Sequence, residues 1–342
     1  MRKQKNILFA LLPLFFLGGS IAAQDMHLSQ FYNAPLLINP GLTGNYEGVT
    51  RGYVNYRDQW TGASPFKTYA VSFDAGLLRK KMRPHHLGAG FFVYQDEAGE
   101  AQLSTTQLSF TLSSVIALDD NNFLSAGLLG GYGQRSMNAG SFRWGEQFDG
   151  SGYAPGMAST ESPTFEPYSF GDFSAGIAWR YGIGKSNISM NNTVQAHAGL
   201  AVFHINAPQQ GYEKELLHRN FVIHGHLDAG ISHLPLHIVP SLLYMNQGPE
   251  KQLNLGWAFR YVIRDDAKYT GFLKKTAVSL GTYYRVGDAL IPTFTFEFAD
   301  YQLGVSYDFS FGGVKDINNG QGGLEISLRH INPVPKGKAS AN

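Results

Sequence analysis

Hydrophobic and polar positions alternate along most of the chain after residue 48, and a period of two residues predicts β-strands. Fourteen such segments follow one another, most of them near the roughly ten residues that a tilted membrane-spanning strand needs. The predicted strands are 49–60, 67–78, 86–95, 104–118, 123–136, 170–182, 192–206, 219–231, 237–247, 252–263, 277–287, 290–299, 301–311 and 322–331. An even number of strands suits a closed antiparallel barrel.

The alternation assigns a face to each side chain of a predicted strand. In the eighth strand Phe221, Ile223 and Leu227 fall on one face, and His224 and His226 fall on the other. An outer-membrane barrel turns its apolar face to lipid and its polar face to the lumen. A soluble β-sandwich would bury the apolar face instead, and the alternation alone fits both.

Composition favours the barrel over the sandwich. Charged residues make up 15% of the chain, below the roughly 25% of soluble domains. Glycine occurs 40 times, phenylalanine 24 times and tyrosine 18 times. Beyond the N-terminus no apolar run is long enough for a membrane helix, and a closed barrel is the other structure that can span a bilayer. We therefore predict an all-β fold, a transmembrane antiparallel β-barrel of about 14 strands.

The N-terminus has the pattern of a secretory signal peptide. Arg2, Lys3 and Lys5 precede an apolar run over 7–17, and small residues follow. The predicted signal peptide is 1–23, which implies export. Its removal takes away three of the 27 basic residues and none of the 26 acidic ones, which leaves 24 basic and 26 acidic residues. This balance gives no indication of a nucleic-acid partner. The chain has no cysteine, which excludes a lipoprotein anchor and disulfides.

The stretch 24–48, QDMHLSQFYNAPLLINPGLTGNYEG, has no regular period. Pro35 and Pro40 fix the backbone angle φ and disfavour a strand. Phe31 and Tyr32 would be costly to leave in water. We expect the segment to lie at or inside the periplasmic mouth of the barrel and to pack, either in the lumen as a plug or against a partner. The predicted division is then signal peptide 1–23, N-terminal segment 24–48, barrel 49–331 and flexible tail 332–342.

Two connections stand out. Residues 137–169 are rich in Gly, Ser, Pro and Thr and predict a large extracellular loop, which contains Trp144. The turn between the second and third strands carries Lys80, Lys81 and Arg83. One interpretation is that these residues are solvated and keep charge out of the lipid. The other is that they form a docking site for a periplasmic partner or for lipid head groups.

Three histidines and an aspartate are predicted to face the lumen together: His197, His224, His226 and Asp228. Pairing Asn206 with Arg219 across a hairpin would bring His197 opposite Asp228. A metal or catalytic site is one interpretation, and a hydrogen-bonded polar interior is the other. No HExxH frame and no GxSxG elbow supports the first. We predict no catalytic residue, metal or cofactor.

The N-terminal segment resembles the signature of the PorP/SprF family of the type IX secretion system, outer-membrane proteins of Bacteroidetes. The family pattern is met by Gln24, Asp25, His27, Ser29, Gln30, Phe31, Tyr32, Pro35, Leu36, Asn39, Pro40 and Gly44, while Met26 stands where proline is common. Further resemblances follow in family order: YRDQW (56–60), FGDFSAGIAWRY (170–181), FHINAPQQGY (203–212) and the ending 307–330. Ala207 departs from the charged residue common in the family.

The resemblance implies a non-enzymatic multi-pass barrel in the outer membrane of a Gram-negative bacterium. It would support export or surface anchoring of particular cargo, often adhesins, and gliding motility where that occurs. The implied partners are secreted cargo with a type IX sorting domain, periplasmic components of the machine, and outer-membrane lipid. The candidate plug or partner-binding residues are Gln30, Phe31, Tyr32, Pro35, Asn39, Pro40, Lys80, Lys81, Arg83, Trp144, His204 and Pro208. The alternative is a passive porin or hydrophobic-solute channel, which needs an open lumen.

Overall fold

The computed structural model describes residues 25–59, 66–99, 102–138, 145–154, 157, 166–183, 186–187, 190–191, 193–209, 216–265, 274–311 and 322–333. The predicted signal peptide, 1–23, lies outside these residues. Fourteen strands form one closed sheet: β1 Thr50–Gln59, β2 Phe66–Leu77, β3 His86–Ala98, β4 Leu103–Ala117, β5 Asn122–Ser136, β6 Tyr168–Ile183, β7 Val194–Phe203, β8 Asn220–Gly230, β9 Leu236–Gln247, β10 Glu250–Arg264, β11 Thr276–Arg285, β12 Ala289–Phe298, β13 Tyr301–Tyr307 with a continuation at Phe309–Ser310, and β14 Gly323–Asn332. A separate two-stranded hairpin, Ser186–Asn187 with Met190–Asn191, follows β6.

Each strand pairs antiparallel with the next one in the chain, and β1 pairs with β14 to close the barrel. The register at the closure runs from Thr50 opposite Asn332 to Gln59 opposite Gly323. The predicted fold and strand number are confirmed. We call the end of the barrel at Thr50 and Asn332 the lower end, and the end at Gln59 and Gly323 the upper end.

The outer surface of the barrel is apolar. Along β4, exposed and buried residues alternate, with Leu112 67% exposed and Ser109 and Thr111 buried inside. Leu128 and Leu280 are also about two-thirds exposed, at 67% and 65%. Side chains of this kind would be unfavourable in water, whereas a bilayer solvates them. The predicted faces of the eighth strand agree, with Phe221 and Ile223 outside.

No helix within the described residues is both long and apolar enough to cross a membrane.

Before β1, the chain makes three short helical turns: a 3-10 turn at Phe31–Asn33, helix α1 at Pro35–Ile38, and a 3-10 turn at Pro40–Leu42. Proline begins the last two turns, a position where its missing N–H is not needed. These turns lie inside the barrel, and their apolar side chains join the interior core. The lumen is therefore occupied by the chain's own N-terminal segment over residues 25–49.

Candidate functional site: the lumen and its N-terminal segment

The N-terminal segment crosses the lumen from one end of the barrel to the other. Its start lies at the upper end, where the backbone N–H of Asp25 donates to Gln247 Oε1 at 3.0 Å. Its last residues lie at the lower end, where Val49 N donates to the Asn332 carbonyl at 2.7 Å. The sequence leads us to expect the segment at or inside one mouth of the barrel, packed in the lumen or against a partner. In the structure it runs through the lumen, because polar groups on the wall bind it at every level.

At the upper end, His204 bridges two carboxylates. Its Nε2 lies 2.6 Å from Asp25 Oδ2 and its Nδ1 lies 2.9 Å from Asp172 Oδ1. Burial lowers the pKa of His204, but the two carboxylates outweigh this and raise the pKa to about 10. The ring is then an imidazolium that donates to both sides. His204 follows β7 directly and ties the segment's first described residue to the wall.

A buried group of charges holds the next residues. The hydroxyl of Ser29 donates to Asp308 Oδ1 at 2.7 Å, and its backbone N–H donates to Glu325 Oε2 at 2.7 Å. Arg57 and Arg285 each donate to Asp308 Oδ2, at 2.9 and 3.0 Å. A buried carboxylate is tolerated because it is paired and hydrogen-bonded. These residues fix the segment to β1, β11, β13 and β14 at once.

Gln30 continues this attachment and is fully buried. Its backbone N–H donates to Glu325 Oε1 at 3.0 Å. Its amide nitrogen donates to the Glu325 carbonyl at 3.0 Å and to Ser306 Oγ at 3.2 Å, and its amide oxygen accepts from Ser327 Oγ at 2.7 Å. An apolar residue of the same size would leave these wall groups without partners.

The middle of the segment supplies the apolar core of the lumen. Phe31, 3% exposed, contacts Tyr283 edge to face at 5.9 Å between ring centroids. Tyr32 stacks on Tyr283 at 5.1 Å and on His226 at 6.2 Å. Leu36 is completely buried in the same core. The packing expected for these aromatic residues is therefore found against the inner wall.

Asn39 is the polar centre of the segment's lower half. Its amide nitrogen donates to the Ile177 carbonyl at 2.9 Å and lies 2.9 Å from His224 Nε2. Its amide oxygen accepts from Gly41 N at 2.7 Å, which caps the turn that Pro40 begins. Asn39 therefore reaches β6 and β8 while it orders its own turn. Pro35 and Pro40 are both buried.

Inward-facing glycines make room for the segment. A Cβ atom at Gly88 would overlap the Thr43 carbonyl, one at Gly127 the Pro40 carbonyl, and one at Gly176 the Asn39 side chain. Glycine permits such close approach because it has no Cβ. The wall has no inward side chain at these positions, so the backbone of the segment can pack directly against the strands.

At the lower end, Gly44 lies in the left-handed region at φ +66°, and both its N–H and its carbonyl oxygen are hydrogen-bonded. Its N–H donates to Asp74 Oδ2 at 2.7 Å, and its carbonyl lies 2.9 Å from both Arg79 Nη2 and His86 Nε2. Asp74 also pairs with Arg51 at 2.9 Å. Arg79 and His86, which flank the turn that carries Lys80, Lys81 and Arg83, therefore bind the segment.

The other predicted residues are distributed as follows. Lys80, Lys81 and Arg83 are exposed on the turn after β2. Pro208 is buried beyond the end of β7. Trp144 lies outside the described residues. The charged wall residues that hold the segment are not among the predicted site residues: Arg51, Arg57, Asp74, Asp172, Arg285, Asp308 and Glu325. The feature of the sequence that could have indicated them is a charged residue at an inward-facing position of a predicted strand.

The predicted register of the β7–β8 hairpin is wrong. Asn220 pairs with Phe203, so His197 lies opposite His226, with ring centroids 5.0 Å apart, and not opposite Asp228. The ladder ends early because the chain leaves it at His204, which has φ +55°. Within the described ranges, no group of three or more His, Cys, Asp or Glu residues is placed to hold a metal ion.

Comparison with solved structures finds other barrels. The toluene transporter TodX of P. putida is 10% identical, with 88% of this chain and 94% of that chain covered and a TM-score of 0.47. BamA from Haemophilus ducreyi lacking POTRA domains 1–3 is 9% identical, with 83% and 70% covered and a TM-score of 0.44. The translocator domain of the autotransporter NalP from Neisseria meningitidis is 11% identical, with 88% and 94% covered and a TM-score of 0.38.

The comparison with curated proteins gives no match. Residues 20–330 match the family described as type IX secretion system membrane protein PorP/SprF, which covers nearly the whole chain. The fold agrees with an outer-membrane location. The chain belongs to the PorP/SprF family, and it is an outer-membrane β-barrel component of type IX secretion.

Proposed function

We propose that the protein is a non-enzymatic barrel that supports the export or cell-surface anchoring of specific cargo, of the adhesin type, by binding. The observation that carries this proposal is the seated N-terminal segment. A lumen filled along its length favours a binding component over a conduit, since a passive pore needs a continuous water path.

The polar bonds of the segment support a stable seat. Buried charged and amide groups are bound at the upper end through Asp25 and Ser29, in the middle through Asn39, and at the lower end through Gly44. Withdrawing the segment would leave many of these wall groups without protein partners, at a cost of about 1 kcal/mol for each net hydrogen bond. A porin or hydrophobic-solute channel needs the segment to leave the lumen, and it is therefore the second candidate.

The two ends of the barrel suit different partners. We place the lower end in the periplasm, where exposed Lys80, Lys81 and Arg83 form a basic surface for acidic groups of the secretion machine. The upper end then faces the cell exterior, where the connections after β5 and β7 would meet cargo with a type IX sorting domain. Trp144 and Pro208 belong to these two connections.

The test is a purification of the native complex. The C-terminal tail is tagged, the outer membrane is extracted gently, and co-purifying proteins are identified by mass spectrometry. We expect a large secreted surface protein, periplasmic machine components, or both. An untagged strain extracted in parallel defines the background.

Planar-bilayer conductance of the purified barrel is measured alongside. We expect no steady conductance while the segment is seated. Recovery of the barrel alone, together with steady conductance, would replace the proposal with a passive channel.

A further inference from the structure

A polar cavity of about 100 Å³ remains in the lower half of the lumen, beside the N-terminal segment. Tyr32 and Asn33 of the segment line it together with residues of β7 to β14. Several of its charged residues lie near the lower ends of their strands, among them Glu297 next to the end of β12 and Arg329 near the end of β14. The cavity is therefore placed toward the lower end of the barrel.

The acidic groups of this cavity are already bound. Glu297 receives two hydrogen bonds from Arg260, from Nε and Nη2, both at 2.7 Å. Asp228 accepts from His237 Nδ1 at 2.5 Å and lies 3.6 Å from Arg260 Nη1. Arg260 is thereby matched by two carboxylates.

Arg329 is different. It lines the cavity and is partly buried, and its guanidinium makes no hydrogen bond or ion pair to any described residue. Two carboxylates line the cavity with it, Glu297 and Asp228, and Arg260 engages both. Among the charged side chains that line the cavity, Arg329 is therefore the one without an ion pair to a described residue.

Neutral polar groups around the cavity also lack partners. His197 Nδ1, Gln302 Oε1 and Asn33 Oδ1 are buried and make no hydrogen bond among the described residues. All three residues line the same cavity as Arg329. A buried polar atom without a partner is costly. In its N–H tautomer, His197 Nδ1 can donate to an anion beside Arg329, whereas the two amide oxygens only accept and suit an N–H group of the ligand.

We propose that this cavity binds a carboxylate group, with Arg329 as its main partner. A guanidinium presents parallel N–H groups that match the two oxygens of a carboxylate. The cavity volume suits a carboxylate with its nearest atoms and excludes a folded domain. The ligand enters from the lower end. The shared chemistry is the carboxylate, which a peptide or a small organic acid supplies.

The binding test uses matched acid and amide probes on the purified full-length barrel in detergent. Sodium N-acetylglycinate and N-acetylglycinamide differ in charge and little in shape, and saturation-transfer NMR titration at constant ionic strength gives each Kd. We expect the acid to bind about tenfold more tightly or better, the size of one charge-assisted hydrogen bond. Equal affinity for acid and amide would overturn the proposal.

Variants locate the site. Arg329→Gln should abolish the preference for the acid, and Arg329→Lys should keep a weaker preference because it retains the charge. Arg264→Gln, exposed at the same end of the barrel, should leave both affinities unchanged. A preference for the acid that survives Arg329→Gln would refute the assignment. Acetate measured in parallel distinguishes the sources, since a peptide ligand predicts tighter binding of N-acetylglycinate than of acetate.

A second readout separates binding from a structural role. Because the guanidinium of Arg329 has no partner among the described residues, Arg329→Gln should leave the thermal stability of the ligand-free barrel unchanged or slightly higher. A clear loss of stability without ligand would show that the guanidinium holds the wall together, which contradicts the proposal. This outcome does not depend on the proposed role in cargo anchoring.

Discussion

Glu325 is the wall residue whose loss should most weaken the seat of the N-terminal segment. It is completely buried, and its carboxylate accepts from Ser29 N at 2.7 Å, Gln30 N at 3.0 Å and Asn55 Nδ2 at 3.0 Å. Two of these donors belong to the segment. Glu325→Ala removes the acceptor of all three donors and leaves the backbone of the segment otherwise intact.

The magnitude follows from the number of donors left unsatisfied. Each buried donor without a partner costs about 1–3 kcal/mol. Taking the low value for each of the three donors gives about 3 kcal/mol in favour of the unseated state, in which water reaches the two N–H groups of the segment and Asn55 Nδ2. A change of about 1.4 kcal/mol is a tenfold change in the equilibrium, so the unseated fraction should rise roughly a hundredfold.

Thiol labelling measures this fraction. The chain has no cysteine, and Ala34 is 1% exposed within the segment. In the Ala34→Cys variant, a maleimide reacts only when the segment leaves its seat, and the labelling rate follows the unseated fraction when unseating is fast and reversible. We expect Glu325→Ala to raise this rate about a hundredfold.

Ser306→Ala is the matched control, because Ser306 Oγ accepts one hydrogen bond from Gln30, at 3.2 Å, and the donor keeps a second acceptor. It should raise the rate only a few-fold. Heat-dependent migration on gels confirms that each barrel is folded. If Glu325→Ala labels no faster than Ser306→Ala, the hydrogen bonds of the carboxylate do not hold the segment in the lumen.

Three further predictions test other levels of the lumen. Gly176→Val should unseat the segment and raise the same labelling rate, whereas Gly171→Val, where an added Cβ meets nothing within 4 Å, should not. Because the pKa of His204 is raised from 6.5 to about 10 by its two carboxylates, its stabilising effect is complete below about pH 6.5 and is lost as the pH rises to about 10. Thermal stability measured over this range should fall in the wild type and fall less in His204→Gln. The Thr43 and Thr111 hydroxyl oxygens are 2.9 Å apart, so Thr43→Cys with Thr111→Cys should form a disulfide on oxidation, checked by thiol counting in mass spectrometry.

The strands could be predicted from the sequence because each one repeats a simple constraint. Along β4, Leu108, Phe110, Leu112 and Ile116 face outward at every second position, with Ser114 the one polar residue among them, so the period of two is visible without any knowledge of the neighbours. The closure of β1 on β14 then follows from the even strand number. The β7–β8 register could not be predicted in the same way, because the long connection between these strands does not fix the pairing as a tight turn would.

The charged wall residues are present in the sequence, but no local pattern gives their role. Glu325 lies at an inward-facing position of its strand, yet an inward charge is ordinary in a water-filled barrel. Its meaning depends on Ser29, nearly three hundred residues earlier, which occupies the lumen and donates to it. No local pattern carries that information. An inward charge beside an aromatic, non-periodic N-terminal segment is the combination that could have indicated it.

The lack of any period in the N-terminal segment has a physical cause. A strand or helix keeps one face toward one environment, so its composition repeats. This segment changes its partner at almost every residue, from Asp308 at Ser29, to Tyr283 at Phe31, to the Ile177 carbonyl at Asn39. Each position is therefore specified by a different piece of wall. A sequence that must match many strands in turn is tightly constrained and still shows no repeat.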